Sequence, residues 1–373
     1  MSFVECFNQL NWDDVALSIR AKTAKEVERA LSKEKLDLED FKALISPVAE
    51  SYLEAMAQRS YALTRKRFGN TVSLYIPLYL SNLCANACTY CGFSMENRIK
   101  RRTLNQGEIA AEIAAIKRMN FDSVLLVTGE HETKVGMNYF RQVVPMIKQQ
   151  FNYLAMEVQP LQQEQYEELI SLGLDAVMVY QETYHPSTYA QHHLRGNKTN
   201  FEFRLETPDR LARAGIDKIG IGALIGLEDW RTDCFFTAAH LEYLERTYWQ
   251  TRYSISFPRL RPCAGALPPK SEMTDKQLVQ LICAYRLFNP EVELSLSTRE
   301  SAFFRDNVLP LGITSMSAAS KTQPGGYAMA DVELEQFEIS DERSAESVAA
   351  MIRSKGFEAV WRDWHSAYSG LRS

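Results

Sequence analysis

The feature that most constrains the fold is an alternation. From Thr71 onward, short apolar runs rich in β-branched and aromatic residues take turns with longer stretches of helical periodicity. Strands are predicted at 71–80, 123–128, 154–159, 176–181, 218–224, 253–258, 293–297 and 313–317. Helical stretches between them include 108–119, 162–172, 201–214, 234–248, 274–288 and 301–308. About eight β–α units over roughly 250 residues match an α/β fold, the parallel (β/α)₈ barrel of TIM type. A doubly wound open sheet uses the same alternation, and the repeat count alone does not separate the two.

Residues 1–70 read as an N-terminal helical extension. Thr23 with Glu26 forms a capping box, 38–44 opens a second amphipathic segment, and a run from Pro47 to Arg67 stops at Gly69, a helix C-cap. The barrel is assigned to 71–325. After Gly325-Gly326 the chain turns acidic, and 326–373 is expected to end in a helix carrying Trp361 and Trp364 on the outside of the barrel.

Composition excludes several function classes. Of 373 residues 46% are hydrophobic and 24% charged, an ordinary globular balance, and a net charge of −5 gives no electrostatic case for nucleic acid or an anionic membrane surface. The first residues lack the basic start and apolar centre of a signal peptide, and no run approaches the roughly 18 apolar residues of a membrane helix. The expectation is a cytoplasmic protein.

Seven cysteines are too few and too unevenly placed for a disulfide framework. Three of them lie in one loop directly after the first strand, Leu80-Ser-Asn-Leu-Cys84-Ala-Asn-Ala-Cys88-Thr-Tyr90-Cys91-Gly-Phe93. In a barrel this is where active-site loops stand. Three thiolates at these spacings can wrap the corner of an iron–sulfur cubane and leave its fourth iron open to a chelating amino acid. Cys-x-x-Cys is also common in zinc sites, but a structural zinc wants a fourth ligand, and Cys6, Cys234, Cys263 and Cys283 form no second pair. A zinc-dependent barrel hydrolase is therefore the alternative from a different class.

The spacing Cys-x₃-Cys-x₂-Cys with an aromatic before the last cysteine resembles the signature of the radical S-adenosylmethionine superfamily. The resemblance implies one [4Fe-4S] cluster on Cys84, Cys88 and Cys91, with S-adenosyl-L-methionine cleaved to a 5′-deoxyadenosyl radical. It also assigns the strand ends. Thr128-Gly129-Glu130 is similar to the motif that binds the methionine ammonium, with Glu130 as the carboxylate and Gly129 allowing close backbone approach. Gln181 and Glu182 would accept ribose hydroxyls, Arg204 would pair with the cofactor carboxylate, and Ile225 would edge the adenine. Read without the resemblance, Glu182 is a strand-end cap, Arg204 a surface ion pair with Glu206, and Ile225 core. Glu157 and Gln159 on strand three could line the pocket or satisfy a neighbouring backbone. Arg259, Arg261 and Arg299 at the mouth require anionic ligands or structural pairs.

Residues 80–93, 126–131, 179–185, 223–227 and 317–327 narrow the resemblance to the 2-iminoacetate synthases, the aromatic-amino-acid lyases of thiamine thiazole biosynthesis. That family implies cleavage of the Cα–Cβ bond of L-tyrosine to 2-iminoacetate and p-cresol. By the same resemblance Arg299 binds the tyrosine carboxylate assisted by Ser317, and Tyr90 lies near the substrate amine. The implied partners are a thiazole synthase, ThiG, and a one-electron donor such as flavodoxin or ferredoxin. A lyase for another aromatic amino acid, such as tryptophan, is the rival within the superfamily. A related tyrosine lyase of hydrogenase maturation carries a second cluster on a cysteine-bearing C-terminal domain, whereas the last cysteine of this sequence is Cys283.

Overall fold

The computed structural model describes residues 2–263, 268–329 and 335–362. Its strands are β1 (Thr71–Ser81), β2 (Ala87–Cys88), β3 (Ser123–Thr128), β4 (Tyr153–Glu157), β5 (Ala176–Met178), β6 (His193–Arg195), β7 (Lys218–Ile221), β8 (Arg252–Ser256), β9 (Glu293–Leu296), β10 (Ser315–Ser317) and β11 (Glu358–Val360). Eight of them run parallel in the order β1-β3-β4-β5-β7-β8-β9-β10, and β10 pairs back onto β1 with Ser73 opposite Ser315. That last pairing closes the (β/α)₈ barrel and rules out the open doubly wound sheet.

Alternation along each strand sorts the side chains. Leu74, Ile76, Leu78 and Leu80 of β1, with Val124 and Leu126 of β3 and Leu154 and Met156 of β4, face outward into the main core against the helices. The inward set is different: Tyr75, Tyr79, Leu125, Val127, Tyr153 and Ala155 form a smaller cluster. At the N-terminal end of the barrel the walls turn polar, and Ser73, Lys218, Ser254, Ser295 and Ser315 help line a cavity of about 710 Å³. Lys218 there pairs with Glu293 at 2.9 Å. TIM barrels usually fill this space with branched apolar layers. Here serine and alanine are too small to do so.

The segment before β1 is helical. Helix Leu38–Leu44 has the predicted bounds, and helix Leu53–Phe68 ends at Gly69, whose φ of 63° suits a residue without Cβ. Gln280, on the barrel helix Asp275–Phe288, donates to the carbonyls of Leu44 and Ser46 and ties the extension down.

The C-terminal segment departs from expectation in two ways. Its helix is Ala345–Ser354, and the chain then adds β11 alongside the first residues of β1, Thr71 opposite Glu358. Trp361 follows that strand and sets its ring edge-on to Phe121, 5.1 Å between centroids, so it is not helical; Trp364 lies outside the described residues. Residues 335–341 run across the barrel mouth and not over its outside. Ser340 donates to the Thr298 carbonyl at 2.9 Å, and Asp341 makes a fully buried ion pair with Arg305. No helix among the described residues is long and apolar enough to cross a membrane.

Candidate active site

At the C-terminal ends of the strands the three thiols of the cysteine loop open into one cavity with Glu130, Glu182, Lys198, Arg204, Glu157 and Arg299. Local structure explains the loop's position. Cys88 sits on β2, paired antiparallel with His193 of β6, and its N–H donates to Ser94 Oγ at 3.1 Å. Ala85 N–H donates to the Glu130 carbonyl and Gly129 N–H to the Ser81 carbonyl, both at 2.8 Å, so the loop is stitched to the end of β3. A Cβ on Gly129 would stand 2.4 Å from the Leu83 carbonyl oxygen. The close approach that glycine permits is therefore to the chain's own cysteine loop.

Three thiols opening into one cavity are the donor type that an iron–sulfur cluster takes. Burial pushes the Cys84 thiol up to about 11, with Glu130 adding to the shift, and raises Cys88 and Cys91 as well. Burial thus disfavours the thiolates, and the charge of a bound metal would offset that cost.

Beside the thiols lies a buried ion network. Arg204 donates to Glu130 at 3.1 Å, to Glu182 at 3.3 Å and to the Tyr180 carbonyl at 2.7 Å. It does not pair with Glu206. Lys198 bonds Glu182 at 2.6 Å and stands 3.9 Å from Glu130, whose other oxygen accepts from Asn86 at 2.7 Å. Burial alone would raise the Glu182 carboxyl, but Lys198 and Arg204 hold it at about 2. Glu182 has a φ of 72°, unusual for a residue with a side chain. The regular strand is Ala176–Met178, shorter than the predicted 176–181, but backbone pairing continues past it: Val179 N–H donates to the Gly220 carbonyl, Gln181 N–H to the Gly222 carbonyl, and Glu182 bridges Ala223.

Tyr90 lines the cavity and its hydroxyl bonds His193 Nε2 at 2.7 Å; burial lowers that imidazole to about 3. Thr128 lines it with a buried hydroxyl that has no partner among the described residues. Gln181 and Ile225 do not line it: Gln181 is buried at the strand end, and Ile225 joins the core while its backbone bonds Pro258 and Leu260. Leu224 faces the cavity instead.

The three mouth arginines separate cleanly. Arg259 takes Glu300 and Asp275, and Arg261 takes Glu300 at 3.3 Å. Arg299 has no carboxylate partner among the described residues; its guanidinium lies 3.4 Å from the centroid of the Phe337 ring. It lines both the cysteine cavity and an adjoining one that includes Tyr75, Tyr180, Ser256 and Ser317. Ser317 Oγ accepts from Thr298 N–H at 3.1 Å and so braces the strand end next to Arg299.

Sequence reasoning missed Lys198, Asn86, Gln336 and Phe337. Gln336 accepts from the Tyr79 hydroxyl at 2.7 Å and its amide lies 3.8 Å from Cys91 Sγ. The signal available for it was Gly92, where a Cβ would meet the Gln336 carbonyl at 2.6 Å.

Comparison with known proteins agrees with this geometry. Residues 78–233 match the radical SAM superfamily and residues 256–358 the biotin and thiamin synthesis associated domain. The chain is 62% identical to 2-iminoacetate synthase of Escherichia coli (strain K12) over 373 residues, covering 100% of this chain and 99% of that one. It is 61% identical to 2-iminoacetate synthase of Salmonella typhimurium, covering 98% of this chain and 97% of the relative. The crystal structure of HydG, a maturase of the [FeFe]-hydrogenase, superposes with a TM-score of 0.90 at 27% identity, covering 96% of this chain and 81% of that one.

Proposed function

Because the chain belongs to the 2-iminoacetate synthase family of radical S-adenosylmethionine lyases, the enzymes of thiamine thiazole synthesis, we propose that it cleaves the Cα–Cβ bond of L-tyrosine to 2-iminoacetate and p-cresol. The observation that carries this reading is Arg299, the one mouth arginine without a carboxylate partner among the described residues, on the wall shared by the two cavities.

Cys84, Cys88 and Cys91 would hold the [4Fe-4S] cluster, which together with S-adenosylmethionine would supply radical initiation by one-electron reductive cleavage. Glu130 offers a carboxylate to the cofactor ammonium and Arg204 a guanidinium to its carboxylate, with Thr128 and Gly129 at the same strand end. Glu182, kept ionised by Lys198 and Arg204, accepts ribose hydroxyls. Gln181 and Ile225, which do not line the cavity, hold the backbone around these groups, and Leu224 presents the apolar edge for the adenine. Arg299 takes the tyrosine carboxylate while Phe337 fixes the plane of the guanidinium and Ser317 braces the strand end. Holding the carboxylate by a rigid fork sets the amine against the reacting carbon, where displacement by about 1 Å can cost on the order of a hundredfold in rate. Tyr90, held by His193, closes the side toward the amine.

A free imine hydrolyses readily, which favours direct transfer to a thiazole synthase, ThiG. The electron comes from a flavodoxin or ferredoxin, and the reducing setting such chemistry needs is the cytoplasm. The test is anaerobic incubation of reconstituted protein with dithionite, S-adenosylmethionine and tyrosine, with assay of p-cresol and glyoxylate. Both products should form. Turnover of tryptophan but not tyrosine would overturn the substrate assignment, and a colourless protein indifferent to S-adenosylmethionine would overturn the cofactors.

A further inference from the structure

Two charged side chains of the double cavity are uncommitted. Glu130, Glu182, Lys198 and Arg204 neutralise one another, and Arg261 is taken by Glu300. Neither Arg299 nor Glu157 has an ion pair among the described residues, and the charge that acts most strongly on Glu157 is that of Arg299 across the cavity, with no hydrogen bond joining them. Among the described residues these two are also the only charged ones lining the adjoining cavity, whose remaining wall combines aromatic rings and hydroxyls, Tyr75, Tyr79, Tyr180 and Ser317 among them, with Leu125, Val127 and two prolines. One unpaired acid and one unpaired base in an aromatic chamber are complementary to an aromatic amino acid zwitterion. Buried charges are normally paired, so an acid left free at a ligand wall points to a cationic group of the ligand.

We propose that Glu157 is the second half of the substrate clamp: its carboxylate receives the substrate ammonium and takes one proton from it while Arg299 holds the carboxylate. The N–H bond breaks, an O–H bond forms on Glu157, the electron pair stays on nitrogen, and the substrate is left as a neutral amine. This deepens the amino-acid lyase reading and rests on it. Burial raises the Glu157 carboxyl to about 7, with Arg299 pulling it down, Glu182 pushing it up, and Lys198 and Arg204 lowering it; the Tyr75, Tyr79 and Tyr180 hydroxyls also feel its charge. A carboxyl so poised can accept a proton at neutral pH.

The test compares equilibrium binding of L-tyrosine and of 3-(4-hydroxyphenyl)propionate, which lacks the amine, to anaerobically reconstituted enzyme with S-adenosylmethionine present. Wild type should prefer tyrosine by roughly tenfold to a hundredfold, the worth of a charge-assisted hydrogen bond. In Glu157→Gln the ratio should fall to near unity with cluster absorption unchanged; a variant keeping the wild-type ratio overturns the proposal. In wild type the ratio should also fall as the pH drops below about 7. A ratio flat across that interval overturns it even if the variant does not fold. If wild type binds neither compound, the amino-acid reading itself fails, which is a different outcome.

Discussion

Replacing Gly129 by alanine tests how the cysteine loop is held. The added Cβ would stand 2.4 Å from the Leu83 carbonyl oxygen, 2.7 Å from its carbon and 3.2 Å from Cys84 Cβ. Real Cβ contacts stay beyond 3.0 Å, so the loop must retreat by at least 0.6 Å, the difference between those two distances. Both sides of the clash are backbone, and no rotamer change can relieve it. The retreat strains the Gly129–Ser81 and Ala85–Glu130 hydrogen bonds, each 2.8 Å long. Losing both costs about 1–3 kcal/mol, which a domain of this size survives. The cluster would not be spared, because Cys84 moves with Leu83. Gly129→Ala should therefore fold with a modestly lower midpoint but take up less iron and sulfide per chain on anaerobic reconstitution. Gly69→Ala is the control: φ of 63° with nothing near its Cβ strains the helix end only, and iron content should be unchanged. Full cluster loading and wild-type deoxyadenosine formation in Gly129→Ala would refute the reasoning.

Arg299→Ala should keep its cluster yet bind tyrosine roughly tenfold to a hundredfold more weakly and lose tyrosine-dependent deoxyadenosine formation; unchanged turnover would remove Arg299 from the substrate site. Asp341→Ala leaves the Arg305 guanidinium without its carboxylate in a fully buried position, and should cost about 3–5 kcal/mol in denaturant titration, with loss of activity as the segment over the mouth loosens. Glu157→Gln should stabilise the ligand-free fold in a pH-dependent way. Burial raises Glu157 from its ordinary 4.5 to about 7, so in wild type the folded state keeps a proton that the unfolded chain has released between those values. The gain from glutamine is then absent below pH 4.5, grows through the interval and reaches about 3 kcal/mol above pH 7. Thermal midpoints that track wild type at both ends would contradict it.

What sequence alone determined here was local. Strand and helix periods depend on neighbours two to four residues away, so the eight β–α units, the capping box at Thr23 and the stop at Gly69 were all readable without a partner in view. The cysteine loop was readable for the same reason, since its three thiols come from eight consecutive positions. Tertiary structure decided everything that depends on which charges meet. Arg259, Arg261 and Arg299 look alike in sequence, and only closure of the barrel gives Glu300 to the first two and leaves the third without a carboxylate partner among the described residues. Lys198 sits between glycine, asparagine and threonine with no pattern to mark it, yet burial beside Glu182 makes it part of the site. Gln336 and Phe337 reach the cavity from a segment whose composition read as exterior. Closure also decides which side of each strand faces the barrel axis: the larger apolar set packs outward, and an inward set that mixes serines and tyrosines with Leu125, Val127 and Ala155 leaves cavities along the axis.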